Sequence, residues 1–220
     1  MTRYFISHLS CALILLIGLS GCDTTTPDRS TSSFNATIEG PEGSYTFSGS
    51  ALLLNQRTTS EVDDLPDDLI DLFDGKAIAE IRASAPHEGV THTLDFGYVS
   101  DSDLAADTEY LVAAQTPNQP VTFPDSIDGV SVIYRQSTSE GVDLYLIDEG
   151  EMFTEHVGER EIQARIGLEA RSVIRLDDLP IGFSPLFPMP LSRIPADTPI
   201  DTLDTPLTLN GTFTALSVSR

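Results

Sequence analysis

Residues 160–175, REIQARIGLEARSVIR, change polarity at almost every step. Ile162, Ala164, Ile166, Leu168, Ala170 and Ile174 fall on one parity. Glu161, Gln163, Arg165, Glu169, Arg171 and Arg175 fall on the other. A helix with 3.6 residues per turn would scatter these apolar positions around its axis, whereas a period of two gathers them on one face. A long antiparallel strand with one wet face accounts for the pattern, and it restricts the chain to sheet architectures.

The same period recurs along the body of the chain. Residues 43–54 place Tyr45, Phe47, Ala51 and Leu53 on one side, and they follow a strand at 33–39 through the turn Gly40-Pro41-Glu42-Gly43. Residues 89–98 align Val90, His92, Leu94, Phe96 and Tyr98. Segments 129–136 and 142–147 are β-branched and aromatic. Asp148-Glu149-Gly150 is expected to turn the chain into 151–157, and Val157-Gly158-Glu159 to turn it again. A C-terminal strand is expected at 207–218, with weaker strands at 76–83 and 108–115. One short helix is expected after Asp64, where Leu69, Ile70 and Phe73 form an apolar face and Gly75 is a stop. Residues 116–128 read as a polar loop. Residues 176–206 carry seven prolines, which rule out a central strand or a long helix there, and their Ile181, Phe183, Leu186, Phe187 and Met189 suit packing over a sheet. About ten strands and one helix predict an all-β protein: an antiparallel β-sandwich, with a small closed β-barrel as the alternative. Phe47-Ser48-Gly49-Ser50-Ala51 and Gly211-Thr212-Phe213-Thr214-Ala215 echo each other faintly, without amounting to a repeat.

The N-terminus has a different grammar. Met1 to His8 carry one positive charge, Arg3, and Leu9 to Leu19 are apolar. The run is about half of the ~20 residues a spanning helix needs, so it reads as the h-region of an export signal. It ends in Leu19-Ser20-Gly21-Cys22, an aliphatic residue, two small residues and cysteine. This resembles the lipobox of bacterial lipoproteins. The resemblance covers residues 1–22 and implies cleavage between Gly21 and Cys22 and an acyl lipid on Cys22. Multiple acyl chains hold a protein on a membrane where one alone binds reversibly. The expected organisation is a cleaved leader at 1–21, a lipidated N-terminus and polar tether at 22–33, and one β-rich domain at 34–220. The outline also resembles small envelope lipoproteins of Bacteroidota-like bacteria, a group that implies no activity.

Charge narrows the partners. Thirty-four acidic residues face twelve basic ones, and Lys76 is the single lysine. A formal charge of −22, or −23 once Arg3 leaves with the leader, repels nucleic acid along its whole length. The acid excess with almost no lysine resembles proteins of salt-loving bacteria, because molar salt shortens the Debye length to about 3 Å and removes the self-repulsion. Cys11 lies in the leader and Cys22 takes the lipid, so the mature chain is expected to form no internal disulfide.

Residues with chemical potential are few. His87, His92 and His156 remain after cleavage, and their spacing matches no zinc motif. The acid clusters Glu61 to Asp74 and Asp101, Asp103, Asp107 lack the calcium-loop pattern. Ser48-Gly49-Ser50 lies inside a strand rather than on a nucleophile elbow. Tyr45, Phe96, Tyr98, Tyr134 and Phe213 fall on inward faces, which suits core packing better than ligand stacking. The basic row Arg165, Arg171 and Arg175 is either an anion-binding face or a set of cross-strand ion pairs. No catalytic or metal-binding residues and no cofactor are predicted, apart from the lipid. The expectation is a non-enzymatic, membrane-anchored envelope lipoprotein acting as a binding or structural module of unknown partner. The alternatives are a carrier with an apolar cavity and a hydrolase with an unrecognised site. Its place is the cell envelope, on the inner or outer membrane.

Overall fold

The computed structural model describes residues 31–59, 75–114, 129–177 and 198–217, all within the compact unit Thr31–Arg220. The leader, Cys22 and most of the tether lie outside the described residues. So do the expected helix before Gly75, the acidic stretch 61–74, the loop 116–128 and the proline-rich residues 178–197.

Nine strands make up the described body: β1 (Ser33–Gly40), β2 (Gly43–Arg57), β3 (Ala77–His87), β4 (Val90–Ser100), β5 (Thr108–Val112), β6 (Gly129–Ser137), β7 (Val142–Val157), β8 (Glu161–Leu176) and β9 (Ile200–Ser217). They belong to one mixed sheet whose strands follow in a closed ring, β1-β2-β3-β4-β6-β5-β7-β8-β9 and back to β1. The all-β expectation is met. A purely antiparallel order is not, since β2 runs parallel to β9 and β5 parallel to β6.

The first parallel contact follows from the length of β1. This strand lies between β2 and β9, and beyond its first residue Ala51 of β2 pairs directly with Ala215 of β9. Ser32 closes the seam: its hydroxyl donates to Ala51 O at 2.6 Å and accepts from Ala51 N at 3.0 Å. The two faintly similar segments of the sequence are therefore neighbours. Both carry a glycine at a close approach. A Cβ on Gly49 would lie 2.0 Å from Ser84 O, and one on Gly211 would lie 2.7 Å from Asn35 O.

Alternation fills the ring. Phe34, Phe47, Leu94, Phe96, Tyr134, Met152, Ile162, Leu209 and Phe213 belong to one continuous buried cluster, joined by alanines at 36, 51, 79, 83, 85, 164, 170 and 215. The small residues let walls close in while the rings fill what space remains, for example Phe96 against Phe213 with centroids 5.0 Å apart. A second cluster, Ile133, Leu144, Leu146 and Ile174, sits on the other face of β6, β7 and β8. That part of the sheet is buried on both sides, so β8 near Ile174 departs from the single wet face expected of residues 160–175.

Three expectations are corrected by bulges. Asp148-Glu149-Gly150 does not turn the chain: β7 runs unbroken from Val142 to Val157, with register shifts at Leu146/Ile147 and Ile147/Glu149. In β8 the register shifts between Ala170 and Ser172, so Val173 joins the interior and Ile174 joins the outer cluster. One inserted residue reverses the parity of everything after it. Opposite that bulge, β9 begins at Ile200, well before the expected 207. Ala170 pairs with Leu207 and Ser172 with Thr202, so residues 203–206 bow out of the ladder. Pro206 lies in this bow, where no ladder hydrogen bond is required of it. The β3–β4 hairpin turns on Glu88 and Gly89, with φ of 48° and 86°. Both are left-handed, as a two-residue turn matched to strand twist requires.

Candidate functional site

The sequence singled out three histidines, and the ring brings two of them together. His92 lies on the inner face of β4, and His87 closes β3 one hairpin away, with ring centroids 6.2 Å apart. His156 is near the β7–β8 hairpin, at the opposite end of the ring. Around His92 the inward residues of β2, β6 and β7 form an aromatic nest. Phe47 stacks on it at 4.3 Å, and Tyr45 stacks on His87 at 5.0 Å. Tyr134 stacks on Tyr145 at 5.0 Å. His92 Nδ1 shares a hydrogen bond with Tyr134 Oη at 2.8 Å. Gln136 Nε2 donates to the phenol oxygens of Tyr134 and Tyr45, at 2.8 and 3.3 Å. His92 Nε2 is buried without a partner among the described residues.

This burial sets the ionisation of the nest. Loss of solvent, with His87 nearby as the lesser cause, lowers the His92 imidazole to about 4. Burial drives the phenols of Tyr134 and Tyr145 far up, and that of Tyr45 up as well. A neutral histidine hydrogen-bonded to a neutral phenol is a packed polar core. The described side chains hold no carboxylate against it to polarise the imidazole in the manner of a hydrolase.

The arginine row is accounted for by ion pairs. Arg175 makes two bonds to Asp143 across the β7–β8 ladder at 2.7 and 2.9 Å. Arg171 reaches Glu169 at 2.8 Å, and Arg165 reaches Glu155 at 2.7 Å. These contacts hold the Glu169 carboxyl below its usual range and raise the two guanidiniums Arg171 and Arg175. A further ion cluster lies on the outer face of β4. Asp95, fully buried, accepts from Arg82 on β3 and pairs with Arg135 on β6 at 3.1 Å. Burial lowers the Arg135 guanidinium and Asp95 partly restores it.

The acidic stretch Asp101, Asp103, Asp107 is dispersed in role. Asp101 pairs with Lys76 at 2.7 Å, Asp103 accepts from Thr59 N at 2.7 Å, and Asp107 takes a left-handed φ of 52°. No group of three potential metal ligands occurs among the described residues. Ser48 lies mid-strand and donates to Asn35 Oδ1 at 2.7 Å.

A concavity lies on the outside of the ring, where the sequence offered no motif. Two rows of outward side chains cross five strands there. One runs Thr46, Thr37, Asn210, Gly167, Glu151, and the other Ser48, Asn35, Thr212, Arg165, Phe153. Four strand spacings of ~4.8 Å make the platform roughly 19 Å wide. Gly167 leaves a dip, and the side chains of Asn210 and Glu151 lie to either side. The Asn210 oxygen is 3.4 Å from where a Gly167 Cβ would sit, and the Glu151 Cγ is 3.9 Å away. The resulting groove has a volume of about 460 Å³, within the range of small-ligand sites. Arg165 forms one wall, its guanidinium 4.7 Å from the Phe153 ring centre and tied to Glu155.

Comparison with known protein families, curated proteins and solved structures finds no match to this chain. Sequence reasoning passed over the groove because its residues are ordinary outward residues of strands. The available signal was the choice of Asn and Thr, rather than charge, at the wet positions of 35–37 and 210–212.

Proposed function

We propose that this protein is a lipid-anchored, non-catalytic binding module of the bacterial cell envelope. On this reading the ring is a closed barrel whose interior is a packed core and whose working surface is its outside. The observation that carries this reading is the open groove beside Gly167, lined by side chains that point away from the core. A packed interior favours this reading over a carrier of an apolar ligand, whose cavity would be lined by inward side chains. The anchor rests on Leu19-Ser20-Gly21-Cys22. Acyl chains on Cys22 would hold the barrel at the membrane on a short polar tether.

Fractionation of cells carrying the wild type and Cys22→Ala tests the reading. The wild type is expected to pellet with membranes and to need detergent for release, whereas Cys22→Ala stays out of the detergent-extracted fraction. Equal membrane retention of both would remove the anchor from the account.

A further inference from the structure

We infer that the outer groove over Gly167 binds a neutral oligosaccharide. The inference rests on the binding-module reading and names its ligand class. The argument begins with the donors and acceptors the groove presents. Asn210, Thr212 and the amide nitrogen of Asn35 have no partner among the described residues, and neither does the Glu151 carboxylate. Thr37 and Thr46 bond each other at 2.9 Å. Carboxamides and hydroxyls both donate and accept, while an ionised carboxylate only accepts. A ligand that satisfies all of them must offer many groups that do both, and a sugar hydroxyl is such a group.

Charge excludes anionic ligands. The one cation of the groove, Arg165, is neutralised by Glu155 at 2.7 Å, so no unpaired positive charge remains there to hold a phosphate or a uronate. The chain as a whole carries −22 and repels polyanions. A peptide joining by strand addition needs a free sheet edge, and every strand of the ring is paired on both sides. The groove shape agrees. Its floor is a glycine, its residues sit on paired strands, and its wall carries the Phe153 ring with the Arg165 guanidinium carbon 4.7 Å from its centre, apolar surface suited to the C–H face of a pyranose.

The test uses the intact chain purified in a detergent without a sugar head group. It is titrated with maltotriose, cellotriose, N,N′,N″-triacetylchitotriose, trigalacturonate and the fully de-acetylated chitosan trimer. Binding is followed by chemical shifts of the Asn35 and Asn210 side-chain amides. At least one of the three neutral trimers is expected to bind with a dissociation constant of about 1 mM or tighter. Neither charged trimer should bind as well. Asn210→Ala is expected to weaken binding about 3- to 10-fold through loss of its hydrogen bonds. Gly167→Trp is expected to abolish it, with an unchanged melting temperature showing that the barrel persists. If Gly167→Trp unfolds the chain, Asn210→Ala and Thr212→Val decide alone. Failure of all three neutral trimers to shift these amides overturns the inference, as does stronger binding of a charged trimer or binding unaffected by the variants. Membrane retention in the Cys22→Ala experiment is read separately, so the groove and the anchor can fail independently.

Discussion

His92 Nδ1 and the Tyr134 hydroxyl lie 2.8 Å apart inside the ring, and both groups are almost wholly removed from water. The pair joins β4 to β6 from within, while Gln136 ties the same phenol to Tyr45 on β2. Its ionisation controls part of the stability of the fold.

The imidazole titrates near 4 in the folded chain and near 6.5 when unfolded. Between these values the unfolded state binds more protons, so this contribution is complete above pH 6.5 and is lost as the pH falls toward 4. The loss is at most about 3 kcal/mol, reduced by whatever solvent reaches the nest through its His87 side. Thermal melting of wild type and His92→Phe between pH 7 and pH 4 checks it. The difference between the two proteins should shift in favour of the variant on acidification. A pH-independent difference would contradict a depressed His92.

Removing the other partner has a different signature. Tyr134→Phe leaves His92 Nδ1 and a Gln136 N–H without the phenol oxygen, a loss of about 1–3 kcal/mol visible as a lower urea midpoint. The phenols of Tyr134 and Tyr145 should also fail to ionise in an alkaline absorbance titration until the chain unfolds. Ordinary phenolate formation in the folded protein near pH 10 would argue against the nest.

On the outer face, Asp95 holds Arg82 and Arg135 together across three strands. Asp95→Asn leaves the Arg135 guanidinium buried beside a neutral amide and should destabilise by about 3 kcal/mol or more. Asp95→Leu combined with Arg135→Met should recover most of that loss, because an apolar pair needs no compensating charge. Equilibrium unfolding of the wild type and the two variants measures both. A double variant as unstable as Asp95→Asn would show that the ion cluster carries more than its own desolvation.

Two glycines should respond to very different extents. Gly49→Ala would put a methyl 2.0 Å from Ser84 O, so the β2–β3 pairing must shift, at about 3 kcal/mol. Gly167→Ala meets only the Asn210 oxygen at 3.4 Å, and its melting temperature should change by no more than about 0.5 kcal/mol of stability implies. Equal effects would mean that β2 and β3 do not approach at Gly49 as closely as the structure places them.

How far the sequence foretold this fold depends on what each residue reports. Parity is a local property, and it placed Tyr45, Phe47, His92, Leu94, Phe96, Tyr98, Ile162 and Phe213 on the inner face, where they are found. Ring closure is not local. It depends on Ala51 meeting Ala215 and on β1 being short, and no window of sequence contains both. Bulges escaped for the same reason: Asp148-Glu149-Gly150 has turn composition, yet its partners Glu169 and Leu168 on β8 keep it in the ladder. The ion pairs of Arg165 and Arg175 were legible as cross-strand contacts, whereas Arg171 holds Glu169 of its own strand. The groove was not, because Asn35, Asn210 and Gly167 acquire meaning only when three strands place them together.

The central claim is that the chain works from a membrane, held by lipid on its new first residue. The intact mass of the protein purified from native membranes tests this most directly. The account predicts a chain beginning at Cys22 and heavier than residues 22–220 by a diacylglyceryl group, with or without a further acyl chain. A mass matching bare residues 22–220, or one that still includes residues 1–21, would contradict it.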